Sequence, residues 1–265
     1  MQDTIDFLFC FNDKYCHHFL GQILQIVERT KKPCRFYIIT KDYDYVSQEC
    51  EKFLIACNKK YDNLIDIEVY NFNDYDGDKF SHQVVSHSWI SEEAYFRLYA
   101  TEILPAYVHR IIYLDVDVLI RCDMNELWQK DISDYEIASV EDLDSYLHRK
   151  NVHWFTSGFM FMNLDKLREE KFFDRAIEYA KTHKITKEDL TILNKNIDKV
   201  LWLSMTWQFC QYKSWVYNEE PIVKDPKMVH FLNSWKPWSN RKVNHRQWHD
   251  AYNSYEAEAV KMIGE

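Results

Sequence analysis

Glycine is nearly missing from this chain: Gly21, Gly77, Gly158 and Gly264 are the only four in 265 residues. Their spacing cannot write GxGxxG or GxxxxGK[ST], so any nucleotide is held without a glycine-rich phosphate loop. Positive charge is short as well, with 33 Lys and Arg against 42 Asp and Glu and a net charge of −9. With no basic excess to release counterions, no nucleic-acid partner is expected. A polyanionic small ligand needs local help, from a metal ion or a few well-placed cations. No run approaches the ~20 apolar residues of a membrane span. The polar start, Met1-Gln2-Asp3, carries no basic n-region. The seven cysteines form no CxxC pair and no zinc-type spacing, as expected of buried thiols in a reducing compartment. These absences together point to a cytoplasmic protein.

What is present is a core. Hydrophobic residues make up 46% and aromatic residues 16% of the chain, which is the composition of a folded domain. "TIDFLFCF" (4–11), "RFYIIT" (35–40) and "LIDIEVYNF" (64–72) read as strands. Between them, 17–30 carries a helical stripe of Leu20, Ile23, Leu24 and Val27, and 46–60 reads as a second helix. That alternation predicts a parallel sheet with crossover helices. After a polar loop (73–88), Ser91 is placed to cap a helix that Pro105 stops. "DMNE" (123–126) resembles a capping box for a short helix. Segments 135–140 and 157–164 read as strands and 166–182 as one helix, and beyond residue 200 only "KMVHFL" (227–232) has a strand pattern.

One stretch contradicts itself. "IIYLDVDVLI" (111–120) is an apolar strand that holds two carboxylates, Asp115 and Asp117. In a strand, i and i+2 point the same way, and two like charges in an apolar setting need a partner. Ligands of open α/β sheets sit beyond the carboxyl ends of strands, and paired carboxylates there suit Mn2+ or Mg2+. The alternative is an edge strand with one solvated Asp and one turn-forming Asp, which is the commoner meaning of Asp-X-Asp alone.

Six blocks in order change that balance: "FCFNDKY", "SEEAYFRLYATEILP", "RIIYLDVDVLIRCDMNELW", "WFTSGFMFMNLDKLR", "DLTILN" and "HFLNSWKPW". With them the sequence resembles the family 8 glycosyltransferases, retaining enzymes that use nucleotide sugars. The resemblance implies an α/β fold of the GT-A type, a Rossmann-like nucleotide-diphospho-sugar transferase with a mixed, mostly parallel sheet flanked by helices. It places that domain over 1–240, with 241–265 a helical extension packed on the domain or lying against a membrane. It implies a Mn2+ (or Mg2+) site from Asp115, Asp117 and His230. A UDP-sugar would lie against Asn12, Asp13, Tyr15, Arg97, Asp115, Val116, Thr156, Ser157 and Lys236, with Asp189 as the catalytic carboxylate. Glu141 and Asp142 become candidates for sugar hydroxyls.

Several positions depart from the family. Asp189-Leu190-Thr191 stands in place of Asp-Gln-Asp, Thr156 in place of Asn, Asn233 in place of Gly, and Lys14 in place of Asn. The activity implied is transfer of glucose or galactose, with retention, to a glycan or glycolipid acceptor of a bacterial surface polysaccharide such as lipopolysaccharide or capsule. A non-catalytic UDP-sugar-binding protein is the alternative, and a self-glucosylating protein lies within the same family. A sugar-phosphate nucleotidyltransferase is opposed by the missing glycine-rich loop. The tail at 244–260 fits either a helix packed on its own domain or an amphipathic membrane contact.

Overall fold

A computed structural model describes residues 4–75, 92–142, 145, 153–185, 188–211, 223–239 and 246–264. The strands β1 (Ile5–Cys10), β2 (Cys34–Thr40) and β3 (Leu64–Asn71) are parallel, linked by the helices α1 (Cys16–Arg29) and α2 (Tyr43–Cys57). The apolar runs of β1 and β2 are buried on both sides, which is why they read as continuous, whereas β3 at the sheet edge is only partly buried. Strand β4 (Arg110–Leu114) pairs parallel with β1. Beyond it lie β6 (Ile137–Val140), β7 (Phe159–Asn163) and β8 (Val200–Leu203), with β7 antiparallel between β4 and β6 and β8 parallel to β6. The resulting order is β3-β2-β1-β4-β7-β6-β8, a mostly parallel sheet flanked by helices, as expected. A small second sheet contains β5 (Val118–Ile120), β9 (Phe209–Cys210) and β10 (Met228–His230), ordered β5-β10-β9.

Four expectations need correction. The run 111–120 is two strands in two different sheets, β4 and β5, and Asp115-Val116-Asp117 is the turn between them. The strand alternation argument therefore does not apply to the two carboxylates. The segment expected as an α-helix after Ser91 is a 3-10 helix, Glu92–Tyr99, followed by one turn of α3 (Ala100–Ile103). The Arg97 guanidinium bonds back to the Ala94 carbonyl at 2.8 Å, in keeping with the tighter winding; Ser91 itself lies outside the described residues. At 123–126, Met124 is the N-cap of α4 (Asn125–Trp128), and Asp123 instead accepts from the Asn125 amide at 2.8 Å. The single helix expected over 166–182 is two, α5 (Leu164–Glu169) and α6 (Phe172–Thr182), broken where Lys171 takes a left-handed φ of 51°.

Past residue 183 the chain holds more structure than its pattern shows. Helix α7 (Glu188–Asn196) and strands β8 and β9 are too short for a periodicity to emerge. The C-terminal helix α8 (Arg246–Gly264) lies against α1 at Gly21, where a Cβ would stand 2.8 Å from the Glu256 backbone. Helix α1 is buried beyond its apolar stripe, with Gln22 and Gln25 fully inaccessible and bonded to Asp115 and Ile120. All seven cysteines are free. Among the described residues, no helix is long and apolar enough to cross a membrane.

Candidate metal and donor site

The site begins with a turn whose backbone is held from several directions. Asp115 N donates to Gly158 O at 3.0 Å, and Gln22 Nε2 of α1 donates to Asp115 O at 3.2 Å. The Tyr252 hydroxyl of α8 donates to Val116 O, and Phe231 N donates to Asp117 O at 3.0 Å. Gln25 Oε1 accepts from Ile120 N at 2.8 Å. A turn fixed at every residue holds its two carboxylates in one arrangement, which lowers the cost of ordering them around a ligand.

Those carboxylates meet His230. Its Nε2 stands 3.1 Å from Asp117 Oδ1 and 3.7 Å from Asp115 Oδ2. One ligand atom from each of the three residues can be chosen so that all lie within 4.8 Å of one another. His230 is at the end of β10 and Asp117 directly precedes β5; the pairing of His230 with Val118 brings them together. Gly158 gives them room, since a Cβ there would lie 2.3 Å from His230 Cε1 and 2.8 Å from Asp115 Oδ2.

The charges in the cluster are matched. Burial opposes ionisation of Asp117, but Lys236 and His230 prevail and hold its carboxyl well below the usual range. Lys236 Nζ forms an ion pair with Asp117 Oδ2. For His230, burial alone would lower the pKa, yet Asp117 above all lifts it to about 10. Two carboxylate oxygens and an imidazole nitrogen, once His230 gives up its proton, are a donor set that fits a divalent ion.

Arg97 ties this cluster to the second carboxylate centre. Its guanidinium lies 3.1 Å from Asp115 Oδ1 and 3.5 Å from Asp189 Oδ2, and donates to Ser157 O at 2.7 Å. It also stacks 4.3 Å from the Tyr113 ring centroid, and the Tyr113 hydroxyl donates to Asp115 Oδ1 at 2.6 Å. Arg97 and Asp189 are only 4% exposed each, so this is a buried bracket rather than a surface pair.

The remaining expected residues make contacts of their own. Thr156 is buried, with its amide on Val140 O and its carbonyl receiving Ser139 Oγ. At the end of β1, Asn12 Nδ2 donates to Glu93 Oε2 at 3.3 Å and Asp13 N to Asp42 Oδ2 at 3.0 Å. The Tyr15 ring lies 5.9 Å from Trp238, which also stacks on His18 at 3.9 Å. Glu141 is paired with His153 at 2.9 Å, at the end of β6. Asp142 Oδ1 accepts from Ser145 N at 3.4 Å.

Several contributors had no signal in the sequence. Gln22 and Tyr252 look like core or surface residues, and only the fold brings them to the turn, while Tyr113, two residues before Asp115, reads as an ordinary strand residue. Glu93 lies in the block that begins at Ser91 but had no role assigned, and Asp42 lies in no block.

Three comparisons bear on this site. The family described as "Glycosyl transferase family 8" matches residues 6–242. General stress protein A of Bacillus subtilis is 26% identical, over 93% of this chain and 92% of that protein. A lipopolysaccharide 1,2-glucosyltransferase of Escherichia coli is 26% identical, over 82% of this chain and 68% of that protein. Among solved structures, the galactosyltransferase LgtC in complex with donor and acceptor sugar analogs superposes with a TM-score of 0.77 at 17% identity, covering 96% of each chain.

Proposed function

The chain belongs to glycosyl transferase family 8, and from that premise we propose that it transfers glucose or galactose from a UDP-sugar to a glycan hydroxyl, with retention and dependent on a divalent metal. The observation that carries this reading is the Asp115–Asp117–His230 cluster joined through Arg97 to the buried Asp189. Asp115, Asp117 and His230 would hold the ion. Bound there, Mn2+ or Mg2+ would supply positive charge to the donor diphosphate as UDP departs.

The chain's own residues do the rest. Lys236, ion-paired with Asp117, would add positive charge for the departing diphosphate. Arg97 serves mainly as a bracket: hydrogen-bonded to the Ala94 and Ser157 carbonyls and ion-paired with Asp115 and Asp189, it fixes one carboxylate relative to the other. Asp189 provides negative charge for the oxocarbenium-like sugar. Asn12, Asp13 and Tyr15, with Val116, Thr156 and Ser157, frame the uridine and sugar. A bacterial surface glycan is the proposed acceptor, in line with the lipopolysaccharide 1,2-glucosyltransferase of Escherichia coli.

A second reading has one observation in its favour. On α7, Leu190 and Thr191 occupy the positions where family members carry Gln and Asp, and Thr191 is buried. A site reduced to Asp189 alone would suit a protein that binds UDP-sugar without turning it over. The test is UDP release from a panel of UDP-sugars with candidate acceptors, with Mn2+ or EDTA, for wild type and Asp117→Ala. Manganese-dependent turnover of one sugar, lost in the variant, supports the transferase. Manganese-dependent binding without turnover across the panel supports the second reading.

A further inference from the structure

The two ring nitrogens of His230 keep different company. Nε2 faces Asp117 and Asp115, while Nδ1 lies 2.7 Å from the side-chain amide of Gln208. Both residues are buried, Gln208 to 2% and His230 to 3% exposure. Gln208 directly precedes β9, and the parallel pairing of His230 with Cys210 and Val229 with Phe209 fixes the amide beside the ring.

A histidine ligates through a lone pair, and a neutral imidazole carries only one proton. If Nε2 is the ligand atom, as its direction demands, the proton sits on Nδ1. There it is buried and must donate. Asp115 and Asp117 are on the other side of the ring. Gln208 Nε2 is the amide atom placed 2.7 Å from Nδ1, and Oε1 is buried without a hydrogen-bond partner. The two ends of an amide are assigned from their hydrogen bonds, and turning this one over brings Oε1 to Nδ1 as the acceptor that a protonated Nδ1 requires. The Cys210 sulfur also lies against the ring, but sulfur is a weak acceptor.

We infer that Gln208 is a positioning residue for the cation site: its Oε1 accepts from His230 Nδ1–H and so directs the Nε2 lone pair at the space shared with Asp115 and Asp117. This rests on the reading of those three residues as a cation site. Partners of this kind orient the ligand ring and raise its basicity, and their loss typically weakens metal binding by about 10–100-fold.

The test measures Mn2+ affinity at fixed pH, from the electron paramagnetic resonance signal of free Mn2+, for wild type, Gln208→Leu, Gln208→Glu and Cys210→Ala. Thermal melts confirm folding. Alongside, a nitrogen-15 NMR spectrum of the wild-type protein with diamagnetic Mg2+ reports which His230 nitrogen is protonated. The expected result is weakening by roughly 10–100-fold in Gln208→Leu, wild-type affinity or better in Gln208→Glu, and protonation at Nδ1. Unchanged affinity in Gln208→Leu, a loss confined to Cys210→Ala, or protonation at Nε2 with Mg2+ bound overturns the inference. Should Gln208→Leu not fold, Gln208→Glu and the wild-type spectrum still decide it. Wild type failing to bind Mn2+ would instead sink the cation site itself, a separate outcome visible in the first titration.

Discussion

Replacing Gly158 by alanine tests the geometry of the site with a single methyl group. The added carbon would stand 2.3 Å from His230 Cε1, 2.8 Å from Asp115 Oδ2 and 2.9 Å from His230 Nδ1. Carbon atoms pack at about 3.5–4.0 Å, so the ring must retreat by more than about 1 Å. It has little freedom to do so, because Nδ1 is 2.7 Å from Gln208 and Nε2 is 3.1 Å from Asp117. Overpacking of this kind costs about 1–3 kcal/mol, which in a chain of this size lowers the melting temperature by roughly 2–10 °C. Local damage should exceed the global loss: Mn2+ affinity is expected to fall by at least about 10-fold, the lower end for disturbing a ligand's support. Gly264→Ala is the control, since nothing lies within 4 Å of its Cβ position. The assay pairs a melting curve with a Mn2+ titration. A Gly158→Ala protein with wild-type melting and wild-type Mn2+ affinity would refute the packing argument.

Other positions give independent expectations. Gly21→Ala pushes a methyl into the Glu256 backbone at 2.8 Å, so it should destabilise by about 1–3 kcal/mol. Hydrogen exchange in α8 should rise with it. Lys236→Ala removes the cation that shares Asp117 Oδ2, so Mn2+ binding without donor should tighten while UDP binding weakens, as read by titrating each separately. Tyr252→Phe deletes the hydroxyl on the Val116 carbonyl and should cost about 1 kcal/mol or slightly more in a denaturant melt. Asp6 supplies a pH test: burial chiefly, against the pull of Arg35, raises its pKa from 3.8 to about 6. Its native state binds the proton more tightly than the unfolded state, so stability falls as pH rises from about 4 to 6 and is level above that. Asp6→Asn should therefore be more stable than wild type at pH 7, by about 1–3 kcal/mol, and the gain should vanish below pH 4.

The sequence carried the α/β order of the first half because its strands and helices are long enough to show a period. The buried stripe Leu20, Ile23, Leu24 and Val27 on α1 was readable in this way. It was silent where elements are short: β9 has two residues and β10 three, yet they place Gln208 and His230. The break at Lys171 was hidden because the apolar period runs on through it. Asp115, Asp117 and His230 were legible only through the family's block order, since a lone His before Phe231 has no pattern of its own. The turn between β4 and β5 was misread as strand because Val116 and Val118 are apolar and the change of sheet leaves no mark in composition. Side chains that hold the turn from α1 and α8 were beyond sequence reasoning, because nothing local says that Gln22 and Tyr252 meet at one peptide segment.

The most direct measurement is a calorimetric titration of UDP into the protein with Mn2+, repeated with EDTA and with Asp117→Ala. The account predicts binding that needs both the cation and the Asp117 carboxylate, so that EDTA and the variant each abolish it. UDP binding of equal strength in all three titrations would contradict it, because the paired aspartates would then have no part in holding the donor.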